Sequence, residues 1–333
     1  MKILSPLDYT DDIGQLSDAG AGEFFCGLLN EEWYQKYPVI SINRRPAGKG
    51  HFRNFEELKV SVDEAHNFGA KVYFTVNEHY YVNAQYEMLK KHIDSAIGSG
   101  VDAFILSDYG LMAWLRENGY AVAIHISTGG TVFNWRSAKF YCDEFGAESI
   151  TFPRHLELGE LKTIVEKMPD VDTSVFVLNS RCINVDGYCT FQHGLAGKQV
   201  FPMFRNACML PYSVDVFFNK EETEVISSEL KERILERQKV WEKVHVDDHP
   251  CGACGMYELR EIGIKSLKIV GRGNPLERKI KDITFLKRLI SVLDSDVSKA
   301  EFRNRSRRLY TETYDRPCRE HMCYFPSVME RNE

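Results

Sequence analysis

Short apolar runs recur along the chain: KILSP (2–6), EFFCGL (23–28), KVYFTVN (71–77), AFILSD (103–108), AIHIST (123–128), SITFPR (149–154), SVFVL (174–178) and SLKIVGR (266–272). Between them lie segments whose apolar residues repeat at helical spacing. NFEELKVSVDEAHNFGA starts on Asn54 as a helix N-cap and lines up Leu58, Val62 and Ala65 on one face. YEMLKKHIDSAIGSG stops on Gly98 and Gly100, and RSAKFYCDEFGA and ELGELKTIVEKM repeat the pattern. Strand then helix, eight times, predicts an α/β fold, a TIM-like (β/α)8 barrel of parallel strands. A doubly wound open sheet competes. It usually has fewer strands and a glycine-rich first turn, and no G-x-G-x-x-G follows the first strand here.

The units are unequal. A long loop, 29–54, separates the second and third strands, and 87 residues (179–265) separate the seventh from the eighth. One crossover needs far fewer. The expected organisation is a barrel domain of 1–178 and 266–296, a cysteine-bearing and helical insertion of 179–265 on its rim, and a polar C-terminal extension of 297–333. A charged helix is expected at 222–246. It reads either as a solvated surface laced with ion pairs or as a docking element for a protein partner.

Strand side chains alternate between faces, and the outer face of a barrel strand must be apolar to meet the helices. Ile124 and Ile126 therefore point outward, and His125 and Ser127 inward. By the same rule Tyr73, Thr75, Asn77 and Lys268 point into the lumen. Such polar groups, drawn from several strands, imply an active site at the C-terminal mouth. His125, Glu78 and Lys268 are the candidate catalytic groups, with Asn77 and Ser127 beside them. Arg154, Arg181 and Arg272 follow strands six, seven and eight, and the second loop carries Arg44 and Arg45. Cations around one mouth suit a carboxylate or phosphate, so the expected substrate is an anionic small molecule or RNA.

Composition narrows the chemistry. The 333 residues are 44% hydrophobic and 27% charged, with a net charge of −6. No apolar run reaches the roughly 20 residues of a membrane span, and MKILSPLDYTDD turns acidic too early for a signal peptide, so a cytoplasmic location is expected. In a reducing compartment nine cysteines suggest metal or redox chemistry more than disulfides. Cys182, Cys189, Cys208, Cys251 and Cys254 all fall between strands seven and eight. Cys26 and Cys142 read as ordinary buried thiols, and Cys318 and Cys323 in the tail are unassigned. Zinc favours close pairs such as Cys251–Cys254, whereas an iron–sulfur cluster accepts wider spacing; spacing alone leaves both open. There is no H-E-x-x-H or G-x-S-x-G, and a cysteine paired with His125 or His193 is the remaining hydrolytic arrangement.

The blocks NFEELKVSVDEAHNFGAKVYFTVN, GVDAFILSDYGLMAWLRE, IHISTGGTVFN and GIKSLKIVGR, with the opening ILSP…AGAGEFFCGL, resemble the collagenase-like family numbered thirty-two among peptidases of unknown catalytic type. The resemblance runs from about residue 3 to 290. It implies a barrel and a four-cysteine [4Fe–4S] site, and redox or oxygen-independent hydroxylation of a quinone precursor or transfer RNA. Peptidase activity and a role as a non-catalytic partner subunit are the alternatives. Carried over by position, the ligands are Cys182, Cys189, Cys208 and Cys251, with Cys254 as the alternative fourth and zinc as the alternative metal. The family commonly has His-Gly after strand seven, where this chain has Leu178-Asn179-Ser180.

Overall fold

Lys2–Pro6 (β1), Glu23–Cys26 (β2), Lys71–Val76 (β3), Ala103–Leu106 (β4), Ile124–Ile126 (β5), Ala147–Thr151 (β6), Asp172–Leu178 (β7) and Ser266–Ile269 (β8) form a closed parallel barrel in sequence order. The computed structural model describes residues 1–37, 41–45, 50–179, 184–189, 250–319 and 322–329, with Ser228, Glu229, Glu232, Arg233 and Glu236. The ring closes where β1 pairs with β8, Lys2 opposite Ser266 and Leu4 opposite Lys268.

The alternation holds. Val72, Phe74, Val76, Ile124, Ile126, Leu267 and Ile269 lie in the buried layer under the helices. Leu4, Phe25, Tyr73, Ala103 and Ile105 form a separate apolar cluster inside the barrel. The surrounding helices are Ile13–Ala19 (α1), Glu31–Lys36 (α2), Phe55–Asn67 (α3), Tyr86–Gly98 (α4), Tyr109–Glu117 (α5), Trp135–Phe145 (α6), Leu158–Lys167 (α7), Met256–Ile262 (α8) and Leu276–Leu293 (α9). Asn54 caps α3 through Oδ1, which accepts from Glu57 N at 2.7 Å, and Leu58, Val62 and Ala65 are buried as spaced.

Three elements differ from expectation. The loop 29–54 contains α2, capped by Asn30 and anchored by Trp33, which is 2% exposed. Beyond 296 the chain forms Lys299–Tyr314 (α10), started by Ser298, whose side chain accepts from Glu301 N. Its buried stripe is Phe302, Ser306, Leu309 and Tyr310. A serine in that stripe and a polar remainder weaken the periodicity, while the face it needs is supplied by α9. Segment 256–262, expected within the insertion, is the helix that leads into β8 and packs on α7. Most of the expected 222–246 helix lies outside the described residues.

A buried ion cluster fixes the rim. Lys279 of α9 is 1% exposed and places Nζ 2.7 Å from Asp8 Oδ2 and 3.3 Å from Asp12 Oδ2. Asp8 Oδ2 also accepts from Gly273 N at 2.6 Å. One carboxylate thus holds the β1–α1 and β8–α9 connections together. Removing one partner of a buried pair strands the other charge. Lys279→Met is expected to destabilise the fold by about 3–5 kcal/mol in urea unfolding. The combined Lys279→Met, Asp8→Asn, Asp12→Asn protein should lose less; an equal or larger loss would contradict the charge argument.

Candidate active site at the barrel mouth

Arg272, just past β8, is 8% exposed, and its guanidinium is held in place. Nη1 donates to Thr75 Oγ1 at 2.9 Å and Nη2 to the Asn43 carbonyl at 2.9 Å. Gly27 makes room for it: a Cβ there would lie 2.5 Å from Arg272 Nη1 and 2.5 Å from Asn43 Nδ2. Gly50 has φ +94° and lies against Arg272 and Gly273 backbone, another place where only glycine fits. Arg45 adds a second, half-buried cation. Burial, then the charge of Arg45, pull Arg272 down to about 10, and burial lowers Arg45. The nearby acid, Asp8, is already bound to Lys279 and Gly273. Positive charge is therefore in excess at this edge of the mouth.

A second group stands beside it. Asn77 Nδ2 donates to Ser127 Oγ at 3.1 Å, and Ser107 Oγ donates to the Asn77 carbonyl at 3.1 Å. Asn77 Oδ1 is buried and has no hydrogen-bond partner among the described residues, so it can accept from a ligand. Glu78 Oε1 lies 3.7 Å from Arg44 Nη1 and accepts from His79 N at 3.0 Å. Burial raises its carboxyl above the usual range while Arg44 draws it back. That combination suits a group that gives and takes a proton.

Lys268 lies deeper, 4% exposed, with Nζ 4.6 Å from the Phe25 ring centroid and 5.4 Å from that of Phe176. Burial, then the charge of Arg272, bring its ammonium down to about 7. The structure does not bring His125 to this group. It points inward as expected, but its ring packs on Tyr73 at 4.5 Å and lines a polar cavity of about 110 Å³ with Lys2, Lys71 and Asp102 at the N-terminal end of the barrel. Burial holds it neutral, at about 4. Alternation determines which face a side chain takes but not its height in the lumen.

Arg154 is already occupied: its N–H and Nε donate to Asp186 Oδ2 at 2.9 and 3.0 Å, and Nη2 reaches Oδ1 at 2.5 Å. It anchors the segment around Asp186 instead of presenting an open cation. Arg181, Cys182 and Cys208 lie outside the described residues. Cys251 forms bridges to Leu178, at the end of β7, and to Cys323. Among the described residues no three His, Cys, Asp or Glu side chains already stand together to hold a metal. By chemistry, an all-thiol donor set suits iron–sulfur or zinc.

Several residues of the site are missed by sequence reasoning. Asn43 and Asp8 act through loop placement. Asn179 takes φ 64°, a left-handed conformation that asparagine tolerates. From there Nδ2 donates to Asp282 Oδ2 at 2.7 Å and to the Val270 carbonyl at 3.1 Å, and its own carbonyl accepts from Tyr324 Oη at 2.5 Å. Its position in the Leu178-Asn179-Ser180 departure is the one available signal.

A (β/α)8 barrel with cations and proton-carrying groups at its C-terminal mouth has the build of a barrel enzyme. The family model "Peptidase family U32" matches residues 12–329, and the chain belongs to that family. It is similar to tRNA hydroxylation protein P of Haemophilus influenzae, 32% identical over 136 residues, covering 41% of this chain and 29% of that protein. The Helicobacter pylori protein of the same name, strain 26695, is 32% identical over 189 residues, 57% of this chain and 42% of that one. tRNA hydroxylation protein P2 of Bacillus subtilis is 28% identical over 174 residues, 52% of this chain and 51% of that one. The matches thus span about half or less of these relatives. The solved U32 peptidase Mk0906 superposes with a TM-score of 0.40 at 16% identity, covering 53% of this chain and 69% of that one. Among the described residues no helix is long and apolar enough to cross a membrane.

The buried Lys268 gives a pH test. Its value is about 7 when folded, against an ordinary 10.5. Below pH 7 both states are protonated and the burial penalty is present in full. Between the two values the unfolded chain holds more protons, so stability rises with pH. Lys268→Met should therefore stabilise the fold at pH 6 by on the order of 3 kcal/mol. The gain should shrink by pH 9, read by urea unfolding at both pH values; an equal gain at both would refute the buried-amine assignment.

Proposed function

We propose that this chain is a redox enzyme of oxygen-independent hydroxylation acting on RNA, with an anionic group of a substrate held at the mouth. The observation that carries the site assignment is the pair of cations, buried Arg272 and half-buried Arg45, with Asn77 Oδ1, which has no partner among the described residues. The relatives' name, tRNA hydroxylation protein, supports the reaction class and the RNA substrate. A cytoplasmic location fits that substrate.

In this reading a [4Fe–4S] cluster is held by Cys182, Cys189 and Cys208, completed by Cys251 or Cys254. Bound there, it supplies electron transfer. Arg272 and Arg45 bind the anionic group, with Arg44 held against Glu78. Asn77 Oδ1 accepts a hydrogen bond from the substrate and orients it. Glu78 holds or releases a proton at the mouth, and the Lys268 amine, near neutrality, takes one within the lumen. His125 has a packing role below them.

Peptide hydrolysis rests on the family's name. Cys26, the thiol beside Arg272, is kept protonated by burial, which makes it a poor nucleophile.

The test is to express the chain in a host lacking its own transfer-RNA hydroxylation proteins and to digest the RNA for nucleoside mass spectrometry. The expected result is a nucleoside one oxygen heavier, made without air, its oxygen coming from a host donor other than dioxygen and the two electrons of the C–H oxidation passing to a host acceptor. Glu78→Gln should abolish it, and Arg45→Gln should lower it roughly tenfold, the effect of losing one charge-assisted contact. A folded, iron-loaded chain that adds no oxygen to RNA would overturn the proposal.

A further inference from the structure

Four tyrosines are exposed among the described residues: Tyr9, Tyr80, Tyr109 and Tyr188. They follow the C-terminal ends of β1, β3, β4 and β7, so all four belong to the face that carries the mouth. A single exposed aromatic is ordinary on a protein surface. Tyr188 differs, because its ring is 68% exposed while the chain beneath it is fixed at several points.

Phe133 stacks on the Tyr188 ring, with centroids 6.0 Å apart and planes 18° from parallel. The turn that carries Tyr188 is seated on the loop after β5. Gly187 has φ +84°, and a Cβ there would strike the Thr131 methyl and lie 2.9 Å from the Gly129 carbonyl. Three hydrogen bonds from Arg154 to Asp186 hold the same turn, and Tyr188 N–H closes it on the Val185 carbonyl at 3.1 Å. Thr131 itself takes φ 57°, a left-handed conformation that costs energy in a β-branched residue and that clusters at functional sites. The loop after β5 begins at Ser127, whose hydroxyl accepts from Asn77 Nδ2 in the candidate site. One short piece of chain, 127–133, therefore both orders the surroundings of Asn77 and supports Tyr188.

We propose that Tyr188, backed by Phe133, is the platform on which one unpaired base of the RNA substrate stacks while Arg272 and Arg45 hold a phosphate. The platform presupposes the RNA reading above and adds the kind of nucleotide the mouth takes. A ring already packed on one face loses little freedom when a base covers the other, so little ordering opposes binding. Every base has a π-face, so stacking does not choose among the four. It does choose unpaired over paired nucleotides, since a duplex keeps the faces of its bases stacked on one another. The cations supply attraction to the backbone in either case.

The experiment is fluorescence-anisotropy titration of the full chain with a labelled short single-stranded RNA of mixed sequence, and with the same strand annealed to its complement. Parent, Tyr188→Ala and Tyr188→Trp are compared at one salt concentration. Tyr188→Ala is expected to weaken single-strand binding at least about fivefold, the effect of losing one stacked base, and to leave duplex binding unchanged. Tyr188→Trp should bind like the parent, with its added indole emission quenched by the single strand. Neither change removes a buried group, so the fold is retained. Equal single-strand affinity in the parent and Tyr188→Ala would overturn the platform and leave the RNA reading standing. An equal loss on single strand and duplex would also overturn the platform, by making the ring a general contact. A parent that binds neither RNA would overturn the platform and the RNA reading together.

Discussion

Closure of a parallel sheet between β1 and β8 is the constraint on which the rest depends. A closed ring has no free edge, so its backbone hydrogen bonds are satisfied all the way round. It also sends every strand's C-terminal end to one mouth. The join is reinforced above the ladder by Asp8, which binds Gly273 N–H and Lys279 together. That one buried carboxylate sets where the chain leaves β8, and hence where Arg272 stands.

From that placement the electrostatics follow. Arg272 reaches across to Thr75 of β3 and to the Asn43 carbonyl of the second loop, so two separate parts of the chain hold one guanidinium. With Asp8 committed to Lys279, the cations at this edge are poorly neutralised from within. An anion from outside would complete the site. Lys268, one level down between two phenyl rings, carries the same surplus deeper, where burial makes its charge costly. The chain belongs to the U32 family, and its barrel is the frame that carries these cations.

The other half of the rim is built by the ends of the chain. Asn179 binds Val270 and Asp282, and Asp282 in turn accepts from Tyr314 of α10 at 2.7 Å. Tyr324 and Cys323 then close on the Asn179 and Cys251 backbones. The C-terminal extension is thus part of the wall beside β7, where the cysteine-bearing segment emerges.

The sequence by itself determined the eight strands, their parallel order and the face taken by each strand residue. Period-two patterning in KVYFTVN and AIHIST has only one reading when the outer face must be apolar. It likewise put forward Lys268, Asn77, Glu78 and Arg272 as candidate site residues, because polar side chains on inward positions and at strand ends need a reason to be there. Only the tertiary structure decided their heights. Alternation carries no information about depth in a tilted barrel, so His125 and Asn77 looked alike while lying at opposite ends of the lumen. Tertiary structure also decided which charges were already paired, as Arg154 is with Asp186 and Lys279 with Asp8, since those partners lie 32 and 271 residues apart. And it alone joined Cys323 to Cys251, because spacing along a chain cannot show that a distant tail returns to the same wall.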